Sequence, residues 1–352
     1  MAVCAYTIIW GNGCMAQPRA TITACPDDSV RSWLNKYHVP GAAIGIIENG
    51  RIKSIGYYGE IRPGVPASAN TLWNVASLTK PVTAATVMNL VNAGKLGLNE
   101  PVYPYFIHPD INDDPRAKEL TIRIFLSHQT GFKNWPYMEP DKKLHFHFEP
   151  GKGFGYSGMG YEYLRQAVQK KTGLNLEQLA KKYVFEPAGM KKTHLGWSDN
   201  LDSNRFAWGY STTGKRYDYV NKNTNAADWL VTSIDDYCRF ALFVVNGEGI
   251  SEKLFHEVTA VQVYMNNDPS HRNDGMGLGW EVIRGLPNNE YALTHNGGDA
   301  GVATLVLLLP NSKRGIVIFT NGDDGAQFVS TVLKASKIDL APELAKSMGE
   351  FQ

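Results

Sequence analysis

"GVATLVLLLPNSKRGIVIFTNG", residues 301–322, contains two apolar runs separated by a short polar turn. Apolar runs of this length, bounded by Pro, Asn and Gly, predict two strands of a hairpin. Two shorter segments upstream, "GLGWEVIRG" (277–285) and "YALTHNGG" (291–298), have the same character. Strands therefore dominate the chain from residue 277 onward.

The N-terminal part of the chain also predicts strands. "GAAIGIIENGRIKSIGYYG" (41–59) reads as two strands around a turn at Glu48-Asn49-Gly50, a tight-hairpin signal. "NVASLTKPVTAATVMNL" (74–90) follows, with apolar residues at roughly helical spacing. Further helical patterns lie near 159–172, 176–183, 233–246 and 326–338. The polar segment 198–227 reads as a long loop.

Strands at both ends of the chain and helices between them predict an α+β fold. One antiparallel sheet, built from both ends and flanked by helices, would carry an inserted, mainly helical lobe. We assign residues 17–90 and 275–352 to the sheet lobe and 91–274 to the helical lobe. The chain of 352 residues is long enough for either one large domain or two modest ones.

Composition excludes two classes of protein. The formal net charge is +1, so the chain has no excess of basic residues to neutralise the phosphates of nucleic acid. No apolar run approaches the roughly 18 residues of a membrane-spanning helix. No nucleic-acid partner and no transmembrane segment are expected.

The N-terminus predicts export. A short apolar stretch precedes Cys14-Met15-Ala16, a small-x-small pattern typical of signal-peptide cleavage. Residues 1–16 therefore read as the remnant of a signal peptide, and the protein as periplasmic or extracellular. Lipidation of Cys14 stays open. The four cysteines of the chain are too few and too scattered for a disulfide framework, so pairing of Cys25 with Cys238 stays open as well.

Ser77 and Lys80 form the first candidate site. Ser77 follows the extended segment "TLWNVA", so it is expected in the first turn of the helix, where backbone N–H groups favour negative charge. Residues three apart share a helix face, so the lysine can approach the serine oxygen. A buried lysine loses charge stability and becomes a usable base. The alternative is an N-capping serine beside a solvated lysine.

Two further stretches carry candidate residues. "EPGKGFGYSGMGYEYL" (149–164) places Tyr156 in a glycine-rich loop before a helix, and a tyrosine can relay a proton if neighbouring cations depress its pKa. "THNGGDAG" (294–301) lies between two strands. Its glycines leave a bare strand edge, where a backbone N–H can point at an oxyanion. His295 offers a donor whose charge varies near neutral pH.

These three motifs, in this order, resemble those of the penicillin-recognising serine hydrolases. The likeness is strongest to the branch of class C β-lactamases, DD-peptidases and family VIII esterases, and it covers roughly residues 40–335. Supporting stretches are "LWNVASLTKPVTAA", "LTIRIFLSHQTGF", "GLGWEV" and "HNGGDAGVATLVLLLPNSKRGIVIFTNG". The resemblance implies a β-lactamase/transpeptidase-like fold and an acyl-enzyme mechanism without metal or cofactor.

The resemblance also implies residue roles. Ser77 would be the acylated nucleophile, Lys80 its base and Tyr156 the proton relay, with His295 as a further catalytic residue. The backbone N–H groups of Ser77 and Gly298 would form the oxyanion hole. Substrate contacts would come from three neighbours of these residues, namely Ser157, Asn296 and Gly297.

Two departures from the family pattern bear on the substrate. His295 stands where many β-lactamases carry a permanently charged lysine, and Gly158 stands where an amide side chain is common. Both favour an esterase or a peptidase for D-amino-acid amides over an efficient β-lactamase. The alternatives are a β-lactamase proper and a protein that binds penicillin or cell-wall peptide without turnover.

Other motifs give weaker predictions. "GYSGMG" nearly matches the G-x-S-x-G nucleophile elbow, but Met159 holds the place of the last glycine. His145 and His147 have no adjacent carboxylate or cysteine cluster, so a solvent-facing pair is expected rather than a metal site. His128 reads as a loop-organising residue whose ring bonds backbone.

Overall fold

The computed structural model describes residues 24–265 and 274–336. Residues 1–16, with the predicted signal-peptide remnant and Cys14, lie outside the described residues. The strands are β1 (Gly41–Glu48), β2 (Arg51–Arg62), β3 (Val65–Pro66), β4 (Leu72–Asn74), β5 (His194–Leu195), β6 (Phe206–Ala207), β7 (Leu230–Thr232), β8 (Val263–Tyr264), β9 (Asp274–Met276), β10 (Glu281–Leu286), β11 (Glu290–Asp299), β12 (Val302–Leu309) and β13 (Arg314–Thr320).

Among the described residues, four of the five predicted helices begin within one residue of their predicted starts, the helix predicted at 74–90 begins at Thr79, and four further helices are not predicted from the sequence. The helices are α1 (Asp27–Lys36), α2 (Thr79–Asn92), α3 (Ile122–Leu126), α4 (Gly158–Thr172), α5 (Leu176–Ala180), α6 (Glu186–Ala188), α7 (Ile234–Val245), α8 (Glu252–Thr259) and α9 (Gly325–Ala335). A single π-helical turn, Lys181–Phe185, joins α5 to α6. The predicted helix at 176–183 is therefore the first part of a longer, irregular helical segment.

Within residues 24–265 and 274–336, the main sheet has nine strands in the order β3-β2-β1-β13-β12-β11-β10-β9-β8. Every neighbouring pair in it is antiparallel. The N-terminal hairpin joins the C-terminal strands where β1 pairs with β13, for example Ile44 with Ile318. The prediction of an α+β fold with one sheet built from both ends of the chain is confirmed.

Helices cover both faces of this sheet. One face packs against α1 and α9, where Val30 and Phe328 are fully buried. The other face packs against α7 and the core around α2. Every residue of β12 and β13 is buried. Burial on both faces is the reason these two strands read as continuous apolar runs rather than as alternating patterns.

Helix α2 is buried on nearly all sides rather than amphipathic. Its residues are buried from Thr79 to Ala84 and again from Thr86 to Leu90. Polar side chains in it bond to backbone, as Thr83 Oγ1 does to the Ala226 carbonyl at 2.7 Å. The helix is therefore a central element of the fold, and a lysine on it is removed from solvent.

A second, four-stranded sheet has the order β5-β7-β4-β6. It positions β4, which leads directly to Ser77. Strand β6 lies inside the segment 198–227, which the sequence predicts to be a loop. A two-residue strand leaves no alternating pattern to detect, and β6 forms through its parallel pairing with β4, where Leu72 faces Phe206.

Two further observations concern the whole described chain. Helix α7 lies within residues 91–274 but packs directly on β1 and β13, so the division of the chain into two lobes stays a prediction. Among the described residues, no helix combines the length and the apolar character that crossing a membrane requires. The predicted export of the protein is not tested by this finding.

Candidate active site

Ser77 lies in a single 3-10 turn, Ala76–Leu78, between β4 and α2. The preceding residue, Ala76, has a left-handed φ of 48°, which is uncommon for a residue other than glycine. The Asn74 side chain accepts a hydrogen bond from the Ala76 N–H at 2.9 Å and stabilises this conformation. Ser77 is partly exposed between buried neighbours, so the sharp turn presents its hydroxyl at the surface of the core.

Lys80 lies beside this hydroxyl. Its Nζ is 3.0 Å from Ser77 Oγ and donates to the Ala227 carbonyl at 2.8 Å. The side chain is 1% exposed. Burial lowers the pKa of Lys80 to about 7, against the opposing effect of the Asp228 and Glu162 carboxylates. A large fraction of Lys80 is therefore uncharged at neutral pH, with a lone pair able to accept the serine proton.

Tyr156 completes a three-residue cluster. Lys80 Nζ lies 4.7 Å from the centroid of the Tyr156 ring, and the phenol is hydrogen-bonded to Ser77. Burial raises the pKa of Tyr156 above its ordinary value, and the Ser77 bond offsets this only in part. The condition named in the sequence analysis, that neighbouring cations depress this pKa, is therefore not met. Desolvation prevails, so the phenol keeps its proton at neutral pH and is poised to donate it.

Strand β11 brings the third motif to the same place. Its pairing with β10 ends at Thr294, whereas its pairing with β12 continues to Asp299. Within the described chain, one side of residues 295–299 is therefore unpaired, as the glycines predict. A Cβ at Gly297 would lie 2.4 Å from the Val75 carbonyl oxygen and 3.1 Å from the Ser77 nitrogen. Only glycine permits this approach of the strand to the serine turn.

Gly298 and His295 face different surroundings. A Cβ at Gly298 would meet no described residue within 4 Å, so Gly298 borders open space in the described part of the chain. His295 is buried, with its ring centroid 6.2 Å from that of Tyr156. Its Nδ1 lies 2.6 Å from the Asn296 carbonyl oxygen. A carbonyl only accepts, so Nδ1 carries the proton and Nε2 keeps a lone pair.

His295 stays neutral over the whole physiological pH range. Burial, followed by the charge of Lys80, lowers the pKa of His295 to about 3. The expectation that its charge varies near neutral pH is therefore wrong, because desolvation disfavours the imidazolium. His295 offers an uncharged ring beside Tyr156, and it cannot replace the permanent cation of many β-lactamases.

The remaining predicted contacts divide into buried and exposed residues. Ser157 is fully buried. Its hydroxyl donates to the Lys133 carbonyl at 2.9 Å and caps α4 by accepting from the Gly160 N–H at 2.9 Å. The structure thus gives Ser157 a capping role and leaves no hydroxyl surface exposed for a ligand. Asn296 is exposed.

The indole of Trp135 fills the space beside Gly158. A Cβ at Gly158 would lie 2.5 Å from Trp135 Cζ2 and 2.7 Å from Cη2. The Gly158 N–H donates to Asn134 Oδ1 at 2.7 Å. Asn134 therefore fixes the backbone at Gly158. The indole of Trp135 fills the space that a side chain at position 158 would need. The absence of an amide side chain at position 158 is built into the packing of this loop.

This packing predicts the result of restoring the amide. Gly158→Asn should lower the free energy of unfolding by roughly 1–3 kcal/mol, because an overpacked side chain forces its neighbours to shift. Urea denaturation measures the change. In the Trp135→Ala background the same substitution should cost markedly less. Gly153→Ala is the control, since its added methyl would meet Phe148 at an ordinary 3.5 Å. Equal costs in both backgrounds would contradict the steric account.

Three residues near Lys80 are absent from the sequence predictions. They are Asn74, which orients the serine turn, Ala227, whose carbonyl holds the lysine, and Asp228. Burial and the neighbouring Asp299 carboxylate raise the pKa of Asp228, whereas Lys80 lowers it. Ala227 and Asp228 lie next to α2 only in the folded chain. A backbone carbonyl and a single aspartate in a polar segment carry no sequence signal.

The weaker motifs have structural roles. His145 pairs with Asp141 at 2.8 Å, and His147 pairs with Glu139. Residues 24–265 and 274–336 contain no group of three or more side chains suited to a metal ion. In "GYSGMG", the serine caps α4 and Met159 is buried within it. Cys25 and Cys238 form no disulfide with each other or with any other described residue.

Comparison with known proteins identifies the family. A sequence model of the Beta-lactamase family matches residues 19–336. The chain belongs to the Beta-lactamase family. The predicted resemblance is thereby confirmed, and with it the membership of a family of serine acyltransferases and hydrolases.

The relatives within this family carry different names. Penicillin-binding protein 4* from Bacillus subtilis (strain 168) is 26% identical, in a match that covers 80% of this chain and 67% of that protein. Protein flp from Staphylococcus aureus (strain MW2) is 26% identical, over 84% of this chain and 62% of its own length. The chain thus spans about two thirds of the length of these curated relatives.

Solved structures agree on the fold. EstCE1, described as a hydrolase with promiscuous acyltransferase activity, superimposes with a TM-score of 0.74 at 17% identity, covering 88% of this chain and 97% of that one. The D-amino acid amidase from Ochrobactrum anthropi gives 0.70 at 21% identity, covering 91% and 98%. At these identities the likeness shows the fold, and the predicted β-lactamase/transpeptidase-like architecture is confirmed.

Proposed function

We propose that this member of the Beta-lactamase family is a serine hydrolase that acts through an acyl-enzyme at Ser77. The observation that carries the proposal is the 3.0 Å contact between Ser77 Oγ and the Nζ of a buried lysine. Burial lowers the pKa of that lysine to about 7. A nucleophile in hydrogen-bond reach of a base that is neutral at working pH is the arrangement that covalent catalysis requires.

Acylation begins at this pair. Neutral Lys80 accepts the proton of Ser77 while Oγ attacks the substrate carbonyl carbon. The negative charge that develops on the carbonyl oxygen is accepted by the backbone N–H groups of Ser77 and Gly298. Preorganised donors of this kind contribute about 3–4 kcal/mol each in known cases. The approach of Gly297 to the Ser77 nitrogen supports this placement of the two N–H groups.

Tyr156 connects the base to the leaving group. As the tetrahedral intermediate collapses, the phenol donates its proton to the departing atom and receives the proton held by Lys80. The ester or amide bond breaks, and the acyl group stays on Ser77. Water then attacks the acyl-enzyme, and the same groups return a proton to Ser77 Oγ. No cofactor is needed in this cycle.

The charges around the site support neutral substrates over anionic ones. His295 is uncharged at neutral pH, and the carboxylates of Asp228 and Asp299 lie close enough to each other to interact. Asn74 Nδ2 lies 3.5 Å from Asp299 Oδ2, which places this acidic group beside the serine turn. A substrate carboxylate, such as that of a cephalosporin, would meet these negative charges. Esters and D-amino-acid amides lack this carboxylate and avoid the electrostatic repulsion.

A labelling experiment and a substrate panel test the proposal. A fluorophosphonate probe should label the Ser77 peptide in the wild-type protein, as read by mass spectrometry, and should not label Ser77→Ala. Turnover of p-nitrophenyl butyrate should exceed that of a chromogenic cephalosporin by at least about tenfold, since a charge-assisted hydrogen bond to a carboxylate contributes about 1.5–3 kcal/mol.

Each alternative function has its own outcome in this panel. Label on another serine, or none, would refute the acyl-enzyme at Ser77. Faster turnover of the cephalosporin would identify a β-lactamase. Stoichiometric acylation by penicillin with no turnover of the ester or of a D-alanyl p-nitroanilide would identify a penicillin-binding protein without hydrolase activity. The predicted export of the protein remains part of the proposal, because cell-wall peptides are outside the cytoplasm.

A further inference from the structure

His128 is tied to both neighbours of Tyr156. Its backbone carbonyl accepts from the Gly155 N–H at 2.9 Å, and its ring Nδ1 accepts from the Ser157 N–H at 3.0 Å. One residue thus holds the chain immediately before and immediately after the tyrosine. The prediction that the His128 ring bonds backbone is confirmed, and the bond falls at the edge of the candidate active site.

The His128 ring also contacts Tyr156 itself. The two ring centroids are 4.4 Å apart with an interplanar angle of 30°, and the Tyr161 ring lies at 5.1 Å. Lys80 Nζ lies within 6.0 Å of the Tyr161 ring and 4.7 Å from that of Tyr156. The imidazole is therefore part of the aromatic surroundings that bury Lys80.

The backbone of His128 is shaped for this contact. Its φ is 56°, in the left-handed region, where residues other than glycine are uncommon and Asn, Asp and His are enriched. This conformation lets one residue direct both its carbonyl and its ring at the loop 155–157. Strained backbone of this kind persists where the surrounding structure requires it.

The protonation state of His128 is defined by its bond to Ser157. Because Nδ1 accepts a backbone N–H, the proton of the neutral ring is on Nε2. Burial, followed by the charge of Lys80, keeps the pKa of His128 well below its ordinary range. Nε2 is buried and has no partner among the described residues. The imidazole therefore contributes an acceptor at Nδ1 and a flat ring, not a charge.

We propose that His128 is a positioning residue that holds the Tyr156 phenol against Ser77 and Lys80. The inference rests on the hydrolase function proposed above, because the position of the phenol matters only if it transfers protons. His128 touches no substrate in this scheme and acts through Tyr156. A small displacement of a catalytic group can cost about a hundredfold in rate, so the effect is measurable.

A double-mutant cycle with Tyr156 tests the proposal. His128→Phe keeps an aromatic ring but removes the Nδ1 acceptor, and it should lower kcat for a D-alanyl p-nitroanilide, whose amide nitrogen needs a proton to leave, by about 10–100-fold with little change in KM. In the Tyr156→Phe background, the same substitution should have almost no further effect. Groups that act as a unit are non-additive in this way. The rate of fluorophosphonate labelling of Ser77 provides a second readout of the same cycle.

Two more variants separate positioning from folding. His128→Asn retains a short acceptor and tolerates the left-handed φ, so its kcat should lie between those of His128→Phe and the wild-type protein. If His128→Phe fails to fold, His128→Asn still tests the role of the acceptor. His38→Phe is the matched control, because His38 is an exposed histidine with a left-handed φ of 53°. It should leave kcat unchanged.

The outcomes distinguish this inference from the proposed function. If Ser77 is labelled and Tyr156→Phe is slow, but His128→Phe lowers the rate equally in both backgrounds, the positioning role is wrong and the hydrolase stands. A loss of stability with kcat unchanged in both His128 variants would also overturn it. If wild-type Ser77 is neither labelled nor required for turnover, the proposed function fails first.

Discussion

Lys80→Met is expected to abolish most ester turnover and to remove a pH dependence of stability. The loss in kcat/KM should be about 10²–10⁴-fold, the range of a general base. The wild-type rate should rise with pH through about 7, because only the neutral amine accepts the serine proton and burial lowers the pKa of Lys80 to about 7. A profile of kcat/KM between pH 5 and 9 measures this limb.

The same substitution should also change how the stability of the protein depends on pH. Between pH 7 and the ordinary lysine pKa of 10.5, the unfolded chain binds a proton that the folded protein does not. The free energy of unfolding of the wild-type protein should therefore rise with pH in that window through this group, by up to about 1.4 kcal/mol per pH unit. Lys80→Met should lack that slope. The free energy of unfolding of Lys80→Met, relative to that of the wild-type protein, should therefore be highest near pH 6.

A lysine outside the site provides the control. Lys95 is exposed just beyond α2, so Lys95→Met should change neither the rate nor the slope of stability with pH. Urea denaturation at pH 6, 7.5 and 9 gives the comparison. If Lys80→Met and wild type show parallel stability over this range, Lys80 is not the buried, weakly basic amine that the structure indicates.

Tyr156→Phe should affect substrates according to their leaving group. An amide nitrogen needs a proton to depart, whereas p-nitrophenolate leaves readily without one. The variant should therefore lose about 10²–10⁴-fold in turnover of a D-alanyl amide, as removal of a general acid predicts. Its loss of acylation rate with p-nitrophenyl butyrate should be much smaller.

Stopped-flow acylation rates with the two substrates measure this difference. Tyr163→Phe is a matched control, since Tyr163 is another buried tyrosine, and its hydroxyl donates to the Phe106 carbonyl at 3.3 Å. It should leave both rates within a few-fold of wild type. Equal losses for the ester and the amide in Tyr156→Phe would show that the tyrosine serves structure rather than proton transfer.

Much of the fold could be predicted from local sequence. The runs of β12 and β13 are apolar at nearly every position because both faces of these strands are covered by helices. The helical pattern at 159–172 matches α4 within one residue, and Ser157 before the helix and Gly173 after it are strong capping residues. Local sequence does not predict β6, because two residues have no periodicity and only their pairing with β4 makes them a strand.

By itself, the sequence determined the main strands and helices, the family and the three motifs, which carry Ser77 with Lys80, Tyr156 and His295. Only the tertiary structure decided their chemistry. Desolvation depends on residues remote in sequence, and burial makes Lys80 a weak base while it keeps His295 neutral and Tyr156 protonated. The two hydrogen bonds from the neighbours of Tyr156 to His128 arise in the same way, because long-range packing brings His128 against the loop 155–157.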